Sequence, residues 1–263
     1  MFDKNLEDIE LKVLSYLQKK YRNMNIKKEN LFLMNKGRFA NATVFRYKDE
    51  NLDLTIKDFS GSPRLIRDIF GRLSVKIEGK TLKKLSGNKS VTKKSEFLSP
   101  HTLSFSFIEG KAIKGCKKIP KEFFLTLEKN VENMHKKDIV HLDLRNLGNI
   151  IMGKDGYPYI IDFQSSISVK HFPKKLKNIL KKTDITGVYK CWEKCGEVPL
   201  DDERKKELED FKKIRKFWVF KGYPFSRIIK KIKNGKSDNK REKFKFLKIC
   251  LLILGTVVLL KKL

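Results

Sequence analysis

The stretch His141-Leu142-Asp143-Leu144-Arg145-Asn146-Leu147-Gly148-Asn149-Ile150-Ile151, followed after a turn by Tyr159-Ile160-Ile161-Asp162-Phe163, decides how this chain is read. Ile139-Val140 is a short apolar approach, and Asn149-Ile150-Ile151-Met152 is an apolar run of strand type. Gly153-Lys154-Asp155-Gly156 is a turn signal. Residues 157–161 read as the returning strand, with Pro158 near its start, where a missing N–H is tolerated. Such a hairpin brings Asn149, at the start of one strand, beside Asp162, at the end of the other, with Asp143 in the loop before it. Two carboxylates and a carboxamide are oxygen donors of the kind magnesium accepts, since that ion keeps several waters and takes few ligands from protein.

Working outward, Leu52 to Phe59 alternates as a half-buried strand does, and Lys57 points to the face opposite Leu54 and Ile56. Further on, Val75, Leu82 and Leu85 share one helical face, and Glu78 falls on that face too. A carboxylate on an apolar face needs a partner, because an unpaired buried charge is costly; Lys57 is the natural one. Asn35 to Phe45 reads as a short loop between strands, with a single glycine, Gly37, and with Val44 within it. Leu103 to Gly110 reads as a strand leading into a linker at Glu109. Phe124, Leu127, Val131 and Met134 form a helical stripe of core type, and His135 and His141 read as structural.

These residues, in this order, resemble the protein-kinase superfamily over about residues 30 to 165. The overall look is similar to small bacterial kinase-like proteins near the lipopolysaccharide-sugar kinases and the atypical serine/threonine kinases. The resemblance implies an α+β, bilobal protein-kinase-like fold and a phosphotransferase that uses ATP and Mg2+ to phosphorylate a hydroxyl. It implies that Asp143 aligns the acceptor, that Asn149 and Asp162 bind magnesium, and that Lys57 contacts phosphates while paired with Glu78. It also implies that the loop from Gly37 to Val44 covers the nucleotide, that the linker at Glu109 bonds the adenine, and that His141 braces its loop through its ring nitrogens. Arg145 stands where many kinases carry lysine, within reach of the transferred phosphoryl group on this reading.

The chain departs from the family pattern in several places. Five residues lie between Asp143 and Asn149, one more than in the usual loop. Asn146 is therefore an alternative ligand, and Asn149 is preferred because it directly precedes the apolar strand. Gln164 replaces the usual glycine, which removes backbone freedom and predicts a segment that flips less. No Ala-Pro-Glu follows, so the peptide-docking platform is absent or rebuilt. A protein serine or threonine and a lipid-linked sugar both remain open as acceptors, and a membrane-tethered pseudokinase is the rival reading.

The 263 residues carry 60 Lys and Arg against 31 Asp and Glu, a formal net charge of +29. Charge of this size attracts anionic lipid, nucleic acid or an anionic substrate. The expected organisation is an amphipathic helix at 1–22, an N-terminal lobe at 23–108, a C-terminal lobe at 109–232, a basic linker at 233–245 and an apolar helix at 246–263. Ile249 to Leu260 is uncharged and almost wholly apolar. As a helix of twelve to fifteen residues it reaches roughly 18 to 22 Å, short of the ~30 Å hydrocarbon core. Its terminal place and charged flanks nevertheless predict a membrane-seated anchor, with the basic stretch before it on anionic headgroups and the catalytic part at the cytoplasmic face of the inner membrane. Nucleic acid is the least expected partner, because no recognised binding motif accompanies the charge. Met1 to Lys20 is charged and reads as an amphipathic helix, so no signal peptide is expected there. Cys191 and Cys195 have the spacing of half a zinc site without a second pair, and read as reduced structural thiols.

Overall fold

The computed structural model describes residues 2–37 and 41–216. The expected basic linker and apolar C-terminal helix lie outside the described residues. Among the described residues no helix is long and apolar enough to cross a membrane.

The chain opens with α1, Phe2–Lys20. A five-stranded antiparallel sheet follows, built from β1 (Leu31–Asn35), β2 (Thr43–Lys48), β3 (Asp53–Asp58), β4 (Ser95–Ser99) and β5 (Thr102–Ser106), in the order β1-β2-β3-β5-β4. Between β3 and β4 run the short α2 (Arg64–Ile66), a wider turn over Arg67–Gly71, and α3 (Arg72–Lys84). Strand alternation splits the sheet into two faces. Phe45, Tyr47, Leu54 and Ile56 point one way, and Ile9, Val13 and Leu17 of α1 bury them. The α1 residues recur at three- and four-residue spacing, so they form one stripe against the sheet.

The opposite face carries the chemistry. Lys57 sits across from Val44 on β2 and Leu103 on β5. Val75 and Leu82 of α3 join Leu103 and Phe105 in the main core on this side. The helix axis therefore lies over Lys57, and Glu78, between those two apolar residues, is delivered to it.

The second half holds β6 (Gly110–Ala112), α4 (Lys121–Lys136), β7 (Ile139–Val140), β8 (Ile150–Gly153), β9 (Pro158–Ile160), β10 (Ile167–Ser168), α5 (Lys174–Cys195) and α6 (Asp202–Lys216). The α4 stripe expected from the sequence is buried, and Phe124 stacks on Trp192 of α5 with ring centroids 5.3 Å apart. The predicted hairpin is β8–β9, with Ile150 opposite Ile160 and Met152 opposite Pro158. β8 is shifted one residue toward the turn from the sequence reading, and β9 is one residue shorter at each end. Asn149 does not begin the strand; it closes a tight 3-10 turn, Leu147–Asn149, which Asn146 caps by accepting the Gly148 N–H at 3.1 Å. Cys191 and Cys195 are buried thiols one turn apart on α5. Cys195 donates to the Cys191 carbonyl, and burial pushes the Cys191 thiol up to about 12.

Candidate active site

Three charged groups meet where the sheet half faces the helical half. Lys57 Nζ donates to Glu78 Oε1 at 2.7 Å and Oε2 at 3.0 Å, and to Asp162 Oδ1 at 3.0 Å. Lys57 and Glu78 are both buried. Desolvation works against the lysine's charge, but two carboxylates outweigh it and raise its pKa well above the usual lysine range. Burial alone would raise the Asp162 carboxyl; the Lys57 ammonium reverses this and, with a hydrogen bond from Gln164, holds it below the usual carboxylate range. Asp162 itself is left-handed, with φ 66° and ψ 64°, a conformation costly for most L-residues and more easily taken by Asp. Its neighbour Phe163 donates its N–H to Glu78 Oε1 at 3.2 Å.

The loop that carries Asp143 is fixed from beneath by α5. Asp184, fully buried, accepts the N–H of His141 at 2.7 Å and of Leu142 at 2.8 Å. His135 Nε2 lies 3.1 Å from the same carboxylate. α5 approaches closely because residue 187 is glycine: a Cβ there would stand 3.2 Å from the backbone of Leu144 and Arg145. His141 braces the loop through both ring nitrogens. Nε2 lies 3.0 Å from the Ile161 carbonyl, and Nδ1 accepts the Asp143 N–H at 3.3 Å. A carbonyl can only accept, so Nε2 carries the proton and the ring is the neutral tautomer.

Asn149 Nδ2 donates to Asp143 Oδ2 at 2.9 Å and to the Asp143 carbonyl at 3.1 Å. Asn146 Nδ2 donates in turn to Asn149 Oδ1 at 3.1 Å. The extra loop residue is thus absorbed by the capped turn, which presents Asn149 to Asp143 and leaves Asn146 more exposed beside it. Burial raises the Asp143 carboxyl pKa, although hydrogen bonds from the Asn149 and Asn146 amides pull the other way. The Asn149 carbonyl oxygen retains a lone pair beyond its bond to Asn146. It and the Asp162 carboxylate are hard oxygen donors, a chemistry that fits magnesium better than a softer metal.

The remaining expected residues spread around this centre. Val44 shares the cleft face with Lys57. The Gly37 N–H donates to Thr43 Oγ1 at 3.3 Å, and a Cβ on Gly37 would collide with the Asn41 carbonyl, so the loop ends close there. Arg145 turns toward α5, donating to the Thr186 carbonyl at 3.3 Å. Glu109 faces the β8–β9 turn: its carbonyl accepts the Lys154 N–H at 3.1 Å and its side chain pairs with Lys154 at 2.7 Å. A cavity of about 430 Å³ opens there, beside the linker rather than at the charged cluster. Asp184 was not foreseen from the sequence; its one signal is a lone acid within an otherwise neutral helical stretch, Thr183 to Tyr189.

Comparison with known proteins follows the same lines. A family model described as the RIO domain matches residues 21–205. A search of curated proteins found no match. The crystal structure of the Rio2 kinase ADP/Mg2+-phosphoaspartate complex from Chaetomium thermophilum is similar at 14% identity. It covers 78% of this chain and 75% of its own, with a TM-score of 0.51. A second Rio2 kinase structure from that organism matches at 14% identity, covering 71% and 73%, with a TM-score of 0.50. At such identity the likeness speaks for the fold, which is α+β and protein-kinase-like. The family match takes in β1 through α5, with every residue of the charged cluster, and leaves out α1. The chain belongs to the RIO-domain family and, with it, to the protein-kinase-like phosphotransferases.

Proposed function

We propose that this protein transfers the γ-phosphoryl group of ATP, with Mg2+, to a serine or threonine hydroxyl of a protein. The observation that carries this is Lys57 Nζ bridging Glu78 and Asp162 within 3.0 Å, on the same cleft as an Asn149-held Asp143. Lys57 stays charged and offers its ammonium to phosphate oxygens. Bound magnesium, held by Asp162 and Asn149, would neutralise charge on the phosphates. Asp143 orients the acceptor hydroxyl and takes its proton. A carboxylate with a raised pKa is the stronger base. The complete set of Lys57, Glu78, Asp143, Asn149 and Asp162 supports turnover over a pseudokinase role.

One observation favours a second acceptor. Only residues 163–173 join Asp162 to α5, which leaves little chain for a peptide-docking platform. That supports a compact hydroxyl acceptor such as a lipid-linked sugar. The apolar stretch 249–260 and the basic residues before it support attachment to an anionic membrane at its cytoplasmic face.

The test is label transfer from γ-labelled ATP and Mg2+ to the protein itself, to a basic carrier protein and to a lipid-linked glycan fraction, with and without anionic vesicles. Asp162→Ala is expected to lose Mg-nucleotide binding. Asp143→Ala is expected to keep binding and lose transfer; full activity in this variant would remove Asp143 from its role. The Chaetomium Rio2 complex holds a phosphoaspartate, so the product is also treated with hydroxylamine. Label that survives is a hydroxyl ester, and label that is released is an acyl phosphate. Failure of the full chain to sediment with anionic vesicles would end the membrane reading.

A further inference from the structure

Phe163, the residue after Asp162, is tied to α3 through both its N–H and its carbonyl, the second by way of Ser166. On one side, the Phe163 N–H donates to Glu78 Oε1. On the other, Ser166 Oγ donates to the Phe163 carbonyl at 2.7 Å and lies 2.8 Å from Thr81 Oγ1. A serine hydroxyl has one proton. Ser166 gives its proton to Phe163, so the Thr81 hydroxyl must be the donor in the Thr81–Ser166 bond. Hydrogen bonds therefore run in one direction, from Thr81 to Ser166 to the Phe163 carbonyl. Glu78 and Thr81 are three residues apart and share a helix face. Thr81 and Ser166 are 6% and 2% exposed, so water cannot replace either partner cheaply. A further contact, Lys84 Nζ to Ser168 Oγ at 3.3 Å, is exposed and adds little.

We propose that Thr81 and Ser166 are positioning residues that hold Phe163 by its carbonyl, and through that residue the left-handed Asp162 carboxylate, in its metal-binding pose. The inference rests on the phosphotransferase reading given above. In a segment too short for an activation loop, this hydroxyl relay does the work of keeping α3 and Asp162 together. It acts through the backbone of Phe163, and both hydroxyls are buried.

The test uses the full chain with Thr81→Val, which keeps the shape of the side chain and removes the donor, Ser166→Ala, the double variant, and Thr81→Ser as rescue. The first readout is amide exchange at Phe163 in the nucleotide-free protein. It should accelerate in Thr81→Val and Ser166→Ala, with the double variant no faster than the singles, and return in Thr81→Ser. The second is nucleotide affinity with and without Mg2+. The magnesium-dependent gain should fall roughly three- to tenfold, the size of one net hydrogen bond, while magnesium-free affinity holds. Unchanged exchange at Phe163, or additive effects in the double variant, overturns the relay. Faster exchange with the magnesium gain intact reduces the pair to a structural contact and also overturns the proposal. If the wild type binds no nucleotide, the phosphotransferase reading falls, and the exchange data still decide whether the relay exists.

Discussion

At the scale of single residues, the two carboxylates of the site should answer pH with opposite signs. The Asp162 carboxyl is held below its ordinary value by Lys57 against the push of burial. The folded state therefore gives up that proton more readily than the unfolded chain. The resulting stability is present above the unfolded value of about 3.9 and is lost as pH falls through the lower folded value. Asp162→Asn should melt well below wild type at neutral pH, and the gap should close in acid. Asp143 is raised by burial, so its folded state holds the proton more tightly. That contribution is present below the unfolded value and is lost as pH rises through the folded one. At neutral pH its charge counts against stability, and Asp143→Asn should melt at or above wild type, with no advantage in acid. Melting curves of both variants across pH 3–8 check the pair of signs. If Asp143 is the base, as proposed, the same upward shift sets the acid limb of activity above that of an ordinary aspartate, because a base must be ionised to act.

At the scale of elements, α5 and the loop above it behave as one unit because a single buried aspartate binds two of the loop's N–H groups. Asp184→Ala orphans both, at about 1–3 kcal/mol each. The expected loss is about 3 kcal/mol or more in urea unfolding, with turnover falling further than nucleotide affinity, since Asp143 rides on that loop and Lys57 does not. A variant with wild-type stability would detach α5 from the loop's geometry. Much of this arrangement was legible in the sequence. Strand periodicity put Lys57 on the face opposite Leu54 and Ile56, and helical periodicity put Glu78 on an apolar face, so their meeting followed from the cost of burying charge. The turn signal at 153–156 aligned Asp162 with the end of the loop that carries Asp143. Other parts had no local mark. Asp184 acts across more than forty residues and leaves no spacing pattern. Thr81 and Ser166 are small hydroxyls of a kind found throughout the chain. Asn149 was placed on a strand because Ile150 and Ile151 follow it, and the Asn146 cap that draws it into a turn depends on three-dimensional closure. The α1 stripe was visible, but the sheet face it covers was set by the pairing of β2 and β3.

At the scale of the molecule, the site is a seam. Lys57 and Glu78 belong to the sheet half and its helix, while Asp143, Asn149 and Asp162 belong to the helical half. The main core crosses the same seam, joining Val75 and Leu103 to Phe163 and Leu127. A ligand that binds across it stabilises the native state by mass action, about 2.7 kcal/mol at a hundredfold excess over Kd. A formal charge of +29 complicates the measurement, because any polyanion is drawn to such a surface. The discriminating quantity is therefore the rise in melting temperature that nucleotide gives with Mg2+ over nucleotide alone, at fixed ionic strength. In wild type that difference should be positive and saturable. Asp162→Ala should remove it and keep the magnesium-free part, whereas Asp143→Asn should retain it, because orienting an acceptor hydroxyl is no part of holding the nucleotide. An equal magnesium-dependent rise in Asp162→Ala would move the metal away from the Lys57–Asp162 seam and reopen the choice of ligands. The complementary loss in Asp143→Asn would make that carboxylate a metal ligand instead of the base.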